Sequence, residues 1–123
     1  MPKTILIVDD SSSLRTVVRM ALNRAGYDVL EASDGIQALS ALEQAVKVHL
    51  IVSDVNMPNM DGISFVSQLK KHPRHKFVPV VMLTTEGQEA KKQEGRAAGA
   101  KAWILKPFNP PQLLDAVSKL VLS

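Results

Sequence analysis

The sequence predicts a single α/β domain with a doubly wound, five-stranded parallel sheet. Two observations predict this fold class. Five short apolar runs recur along the chain, and each is followed by a segment in which apolar residues return at helical spacing. The runs are continuously apolar, which is typical of parallel strands buried on both faces. Repeated strand–helix units of this kind place helices on both sides of one sheet.

The first half of the chain contains three predicted strand–helix units. Their strands are predicted at 4–8, 27–32 and 50–53. The serines at 11–13 can cap the first helix, and Gly26 fits its C-terminal end. Asp34 opens the second helix, and the third follows a polar loop at 56–62.

The second half contains the two remaining units. Strands are predicted at 78–83 and 102–105. A polar, alanine-containing helix is predicted at 86–98, with Gly99 at its end. The last helix is predicted to start at 109–112, where proline occupies the first turn as expected.

Composition narrows the function classes. The 123 residues predict one domain, 1–123, with no output domain attached, and the absence of Cys excludes disulfides and thiolate metal sites. There is no signal peptide and no apolar run that could cross a bilayer, so we expect a cytoplasmic protein without membrane insertion. The net charge of +3 is scattered and aromatics are few, which argues against a nucleic-acid partner.

Acidic residues stand at the ends of two predicted strands. Asp9 and Asp10 follow the first strand, and Asp54 ends the third. Carboxylates placed together repel one another and resist ionisation, and neutral residues would pack there at less cost. A bound hard cation, which takes oxygen ligands, cancels such repulsion.

The expected topology brings these residues to one crevice. In open parallel sheets the functional crevice lies at the carboxyl ends of the strands, where the strand order reverses. If the order is 2-1-3-4-5, the first and third strands are neighbours, and Asp9, Asp10 and Asp54 converge. Thr84 and Lys106, at the ends of the last two strands, would reach the same crevice.

At these residues the chain resembles a known family, the response-regulator receiver domains of two-component signalling, over essentially its whole length. The matching elements, each at the end of a successive strand, are Val8-Asp9-Asp10, Asp54, the loop 57–62, Leu83-Thr84 and Lys106-Pro107-Phe108. Among receivers it is most similar to the stand-alone CheY-type chemotaxis regulators. The resemblance implies the flavodoxin-like order assumed above.

The resemblance implies a role for each site residue. Asp54 would be the phosphoacceptor, its carboxylate attacking phosphorus to form an acyl phosphate. Asp10, Asp54 and the backbone carbonyl of Asn56 would bind Mg²⁺, with Mn²⁺ as a substitute, and Asp9 would act through metal-bound water. Lys106 would neutralise phosphoryl charge, and Thr84 would hydrogen-bond a phosphoryl oxygen. A cis peptide is expected between Lys106 and the following proline.

The resemblance also implies how phosphorylation is transmitted to the surface of the domain and how it is reversed. Trp103 would be the switch aromatic that moves when Thr84 shifts toward the phosphoryl group, although most chemotaxis regulators carry Tyr at this position. Asn56 and Glu86, each two residues beyond a reacting group, would tune hydrolysis of the acyl phosphate. The helix at 86–98 has few large apolar residues, which favours a mobile output surface.

The implied partners are proteins. A sensor histidine kinase would donate the phosphoryl group, and a flagellar motor switch protein or another protein target would receive the signal. The alternative role is a phosphorelay intermediate or phosphate sink that exchanges with a histidine phosphotransfer protein. The protein would not be an enzyme in the ordinary sense, because it assists only its own phosphorylation and dephosphorylation.

Two other classes are less well supported by the sequence. A haloacid-dehalogenase-like phosphatase needs a second Asp two residues after its nucleophile, where this chain has Asn56. A nucleotide- or flavin-binding domain needs a glycine-rich phosphate loop, and neither G-x-G-x-x-G nor a P-loop is present.

Other residues are given ordinary structural interpretations. His49, His72 and His75 are expected to be solvated loop residues. Asp61 and the glycine after it predict a turn into a helix. Gly95 and Gly99, although spaced as GxxxG, indicate little in a polar helix.

Overall fold

The computed structural model describes residues 2–45, 47–85 and 89–122, with the backbone alone for 89–92. The five strands are β1 (Thr4–Val8), β2 (Asp28–Ala32), β3 (Leu50–Asp54), β4 (Val80–Thr84) and β5 (Ala102–Leu105). The helices are α1 (Ser12–Arg24), α2 (Gly35–Gln44), α3 (Gly62–Leu69), α4 (Glu89–Ala98) and α5 (Pro110–Leu120). All strand pairs are parallel and the order is β2-β1-β3-β4-β5, which confirms the predicted fold class.

The core consists of two apolar clusters, one on each face of the sheet. Successive residues of a strand point to opposite faces, so Ile5 and Ile7 lie in one cluster while Leu6 and Val8 lie in the other. We call the side containing α2 and α3 the first face and the side containing α1 and α5 the second face. Burial on both faces explains why the strands read as continuous apolar runs.

The strand ends differ slightly from the prediction. Tyr27 lies outside β2 because its N–H donates to the Leu22 carbonyl at the end of α1. The Val78 N–H donates to the His75 carbonyl in a turn, and the next residue is a proline without an N–H, so β4 begins at Val80. β3 extends one residue further than predicted, to Asp54, and the described part of the fourth helix begins at Glu89.

Among the described residues, α1, α2, α3 and α5 begin where the sequence signals predicted, and α1 and α4 end at the predicted glycines. Four N-terminal caps accept a backbone N–H through a side-chain oxygen: Ser11, Asp34, Asp61 and Asn109. Gly26 and Gly99 follow the ends of α1 and α4 with φ of 94° and 119°. Glycine adopts this left-handed conformation without steric penalty, so both helices can stop there.

The prediction that the three histidines are solvated loop residues is wrong. His75 is buried, and its Nε2–H donates to the Leu42 carbonyl (3.0 Å) at the end of α2. His72 pairs with the carboxylate of Glu43 (2.7 Å), and Nδ1 of the half-buried His49 accepts the Thr4 N–H (3.0 Å). The loop between α3 and β4 therefore satisfies the end of α2, because the last carbonyls of a helix lack partners within it.

No helix in the described part of the chain is both long and apolar enough to cross a membrane.

Candidate functional site

The strand register brings the predicted site residues to one end of the sheet. Val8 of β1 pairs with Ser53 of β3, so Asp9 follows directly beside Asp54. Across β3 and β4, Asp54 pairs with Leu83, and Thr84 pairs with Leu105 of β5, immediately before Lys106. Parallel strands share the direction of their carboxyl ends, and the residues after each strand therefore meet at one edge.

Asp54 is a nearly buried carboxylate, with 8% of the residue exposed. Its Oδ1 accepts the Val55 N–H (2.8 Å) and lies 3.3 Å from the Lys106 ammonium. Burial raises the pKa of Asp54, and the nearby carboxylate of Asp9 raises it further; Lys106 and the Val55 N–H act in the opposite direction. The site thus holds a carboxylate whose negative charge is costly and only partly compensated.

Lys106 bridges two carboxylates. Its Nζ donates to Asp9 Oδ2 (3.1 Å) and forms an ion pair with Asp54 Oδ1. Asp9 is fully buried, and its other oxygen accepts the Ser11 N–H (2.9 Å) at the start of α1. The Lys106 backbone N–H donates to the Thr84 carbonyl (2.5 Å), and the Lys106–Pro107 peptide is cis, as expected.

The three carboxylates form a donor set that suits a divalent metal. One oxygen each from Asp9, Asp10 and Asp54 lies within 4.8 Å of the others. Asp10 is exposed and the other two are buried, so the group opens to solvent on one side. Three carboxylates balanced by one ammonium leave excess negative charge, and Mg²⁺ prefers oxygen ligands while retaining several waters. The residues present therefore fit a magnesium site.

The loop between β3 and α3 is held tightly against the site. A Cβ on Gly62 would lie 2.1 Å from the Asp54 carbonyl oxygen, so only glycine fits there. The Gly62 N–H donates to the Val55 carbonyl (2.8 Å).

The same loop also contacts the start of α2. The Asn59 amide donates to Asp34 Oδ2 (2.8 Å), and this hydrogen bond is the largest cause of the lowered pKa of Asp34. The predicted turn at Asp61 is confirmed, but the sequence did not reveal the close approach of Gly62 to Asp54.

The remaining predicted residues are distributed around this end. Thr84 is buried at the end of β4, while Asn56 is exposed just after Val55. Trp103 lies on β5, opposite Met82 of β4, and packs against the first-face cluster. Glu86 lies outside the described residues.

Comparison with known proteins identifies this arrangement. The model of the response regulator receiver domain matches residues 5–118. Chemotaxis protein CheY1 of Helicobacter pylori is 39% identical over 119 residues, which cover 96% of this chain and 95% of that protein.

Solved structures of receiver proteins have the same fold as this chain. The chemotaxis response regulator CheY4 of Vibrio cholerae has a TM-score of 0.91 and 45% identity, covering 98% of this chain and 99% of that one. The receiver domain of sensor histidine kinase PA1611 from Pseudomonas aeruginosa, with a TM-score of 0.88, 27% identity and 98% coverage of both chains, contains a magnesium ion in its active-site cleft.

The fold and its acidic crevice define a phosphorylation-dependent signalling module. The chain belongs to the response regulator receiver domain family and is homologous to the CheY chemotaxis regulators. Members of this family are signalling regulators, not ordinary enzymes, and bind Mg²⁺ at an acidic pocket.

Proposed function

We propose that this response regulator accepts a phosphoryl group on Asp54 and that Asp9, Asp10 and Lys106 complete the phosphoacceptor site. The observation that carries the proposal is the position of the Lys106 ammonium, 3.1 Å from Asp9 Oδ2 and 3.3 Å from Asp54 Oδ1. A cation beside the attacking oxygen lies where negative charge accumulates as the phosphoryl group arrives.

The transfer uses groups already positioned at the crevice. An oxygen of Asp54 forms a bond to phosphorus while the phosphorus–nitrogen bond of a phosphohistidine donor breaks, and the electron pair returns to the imidazole. Val55 fixes the orientation of the Asp54 carboxylate through its N–H. Asp9, Asp10, Asp54 and the backbone carbonyl of Asn56 would hold Mg²⁺, which supplies positive charge that offsets the repulsion between carboxylate and phosphoryl oxygens.

Thr84 and Trp103 form the proposed route out of the site. Thr84 ends β4, the strand next to the one that ends in Asp54, and Trp103 lies on β5, one strand further. A hydrogen bond from the hydroxyl to a phosphoryl oxygen would move Thr84 and change the space available to the indole. Asn56, exposed at the mouth, would steer the hydrolytic water, a role also proposed for Glu86.

The proposed partners are a sensor histidine kinase as donor and a flagellar motor switch protein as target, all in the cytoplasm. The support is the extent of the resemblance, since the chain spans 95% of CheY1. Exchange with a histidine phosphotransfer protein is the second candidate role. A peptide from the motor switch protein of the same organism should bind the beryllofluoride-activated protein more tightly. Phosphoryl exchange without such binding would favour the relay role.

Intact-mass measurement after treatment with acetyl phosphate tests the phosphoacceptor. The wild-type protein should gain one acid-stable, base-labile phosphoryl group in the presence of Mg²⁺ and none after chelation. Asp54→Asn should gain none, whereas Asp61→Asn, which alters a neighbouring helix cap, should behave as the wild type. Full phosphorylation of Asp54→Asn would overturn the assignment.

A further inference from the structure

Helix α4 and strand β5 meet at a contact that only glycine permits. Gly95 is buried, and a Cβ added to it would lie 2.2 Å from Cη2 and 2.4 Å from Cζ2 of Trp103. Ordinary van der Waals contacts of a Cβ begin at 3.4 Å. The outer edge of the indole therefore rests on bare helix backbone. We call this arrangement the docked indole.

The docked indole carries a penalty as well as a gain. Its ring packs against the first-face cluster, where Ala98 and Ala100 also pack. Its Nε1–H is buried, however, and among the described residues it has no hydrogen-bond acceptor. A buried donor without an acceptor is unfavourable, so a position in which the N–H reaches water would recover a hydrogen bond that the docked indole lacks.

Within the described side chains of α4, the other anchors to the sheet are small. Of the α4 side chains that the structure describes, Gln93, Glu94, Arg96 and Ala97 are exposed, and Ala98 packs against the cluster. The indole of Trp103 is thus a large apolar surface that α4 covers. Any movement of the ring away from Gly95 must change the packing of the helix, because interiors are close-packed.

We propose that Gly95 is a positioning residue of the output switch: its missing side chain lets α4 close over Trp103, so that ring and helix move as one element. The inference rests on the proposed role of Trp103 as the switch aromatic. The bulky Trp103 is matched by a glycine on the facing helix. A side chain at position 95 would therefore uncouple α4 from the ring without changing the phosphoacceptor site.

Trp103 is the only tryptophan, so its fluorescence reports the contact directly. Gly95→Ala should move the emission maximum of the resting protein to longer wavelength and increase acrylamide quenching, because the Cβ expels the ring. Gln93→Ala, on the exposed side of the same helix, should leave both unchanged. Emission and quenching in Gly95→Ala equal to those of the wild type would overturn the proposal.

A double-mutant cycle separates this contact from a general effect on the helix. Alanine is a better helix former than glycine. This difference in helix propensity alone should raise the folded-to-unfolded ratio of Gly95→Ala about four- to fivefold. With Trp103 present, overpacking or loss of ring burial should cancel or reverse that gain. In a Trp103→Phe background, whose shorter ring leaves room for the Cβ, the full gain should appear. Equal effects of Gly95→Ala in both backgrounds would refute a specific contact.

Activation distinguishes failure of this inference from failure of the proposed function. Gly95→Ala should be phosphorylated by acetyl phosphate as fully as the wild type, because residue 95 lies outside the acidic crevice. The emission shift that Mg²⁺ with beryllofluoride induces in the wild type should be lost in Gly95→Ala. A wild-type shift retained in Gly95→Ala would refute the positioning role, and lack of phosphorylation in the wild type itself would refute the proposed function.

Discussion

Replacing Lys106 with methionine tests the charge balance of the acidic crevice. Methionine preserves most of the apolar stem and removes the ammonium that lies 3.1 Å from Asp9 and 3.3 Å from Asp54. The Asp9 side chain is only 1% exposed and that of Asp54 12% exposed, so water cannot replace the lost cation fully. The variant should therefore be less stable than the wild type in the absence of a divalent metal.

The expected loss follows from the distances. At an effective dielectric constant of about 20, each ion pair at this separation is worth about 5 kcal/mol of attraction before desolvation is considered. Removing one partner of a buried pair costs about 3–5 kcal/mol in measured cases. Because Lys106 is 21% exposed and Asp10 opens the site to water, we expect a loss of about 2–3 kcal/mol in the free energy of unfolding.

Urea unfolding monitored by circular dichroism measures this loss. The matched control is Lys119→Met, which breaks an exposed pair with Asp115 (3.0 Å, side chains 72% and 64% exposed) and should cost no more than about 0.5 kcal/mol. Mg²⁺ should reduce the deficit of Lys106→Met, since the metal supplies positive charge to the same carboxylates. Equal stability of the wild type and Lys106→Met without Mg²⁺ would refute the reasoning.

The deficit should also depend on pH. Asp54 has a raised pKa in the folded protein, so its protonation stabilises the fold below the unfolded pKa, and this contribution is lost as pH rises through the folded pKa. Removing Lys106 raises the pKa of Asp54 further. The difference in the free energy of unfolding between Lys106→Met and the wild type should be large at about pH 7 and small at about pH 4. A deficit that is independent of pH would exclude the carboxylates as its cause.

Three further changes address the switch, the lifetime and the histidine cap. Thr84→Ala should be phosphorylated normally but show a weaker emission shift of Trp103 on activation; an undiminished shift would remove the hydroxyl from the switch. Asn56→Ala should change the decay rate of the phosphorylated protein in a mass time course, and unchanged decay would exclude a role in hydrolysis. Burial lowers the pKa of His75, so its contribution to stability is present above about pH 6.5 and is lost as pH falls through the folded pKa. His75→Gln, whose amide can still donate to Leu42, should flatten that dependence, and an unaltered slope would contradict it.

The sequence predicted the sheet and the crevice because their signals are local. Buried parallel strands leave continuous apolar runs, and Asp9, Asp54, Thr84 and Lys106 each stand at or just beyond the end of one. Once the strand order is assumed, the register places the residues together. Strand limits were less predictable, because the start of β4 depends on a turn bond from Val78.

Contacts between distant segments were not predictable from the chain. In the sequence, His75 is one more polar residue of a basic loop, yet its partner is the carbonyl of Leu42 at the end of α2, from which β3 and α3 separate it. In the sequence, Gly95 is half of a GxxxG spacing that indicates little in a polar helix. Its steric requirement arises only when Trp103, on another element, packs against α4. Neither contact can be predicted from the residues adjacent to it in the sequence.

The ion pair between Lys106 and Asp9 joins residues 97 positions apart. During synthesis, all three aspartates of the crevice leave the ribosome with β1 and β3, well before the lysine that balances them. A chain truncated before β5 would hold the three carboxylates without the ammonium that lies beside two of them. In the complete fold, β5 delivers the balancing cation, because Lys106 directly follows its last residue.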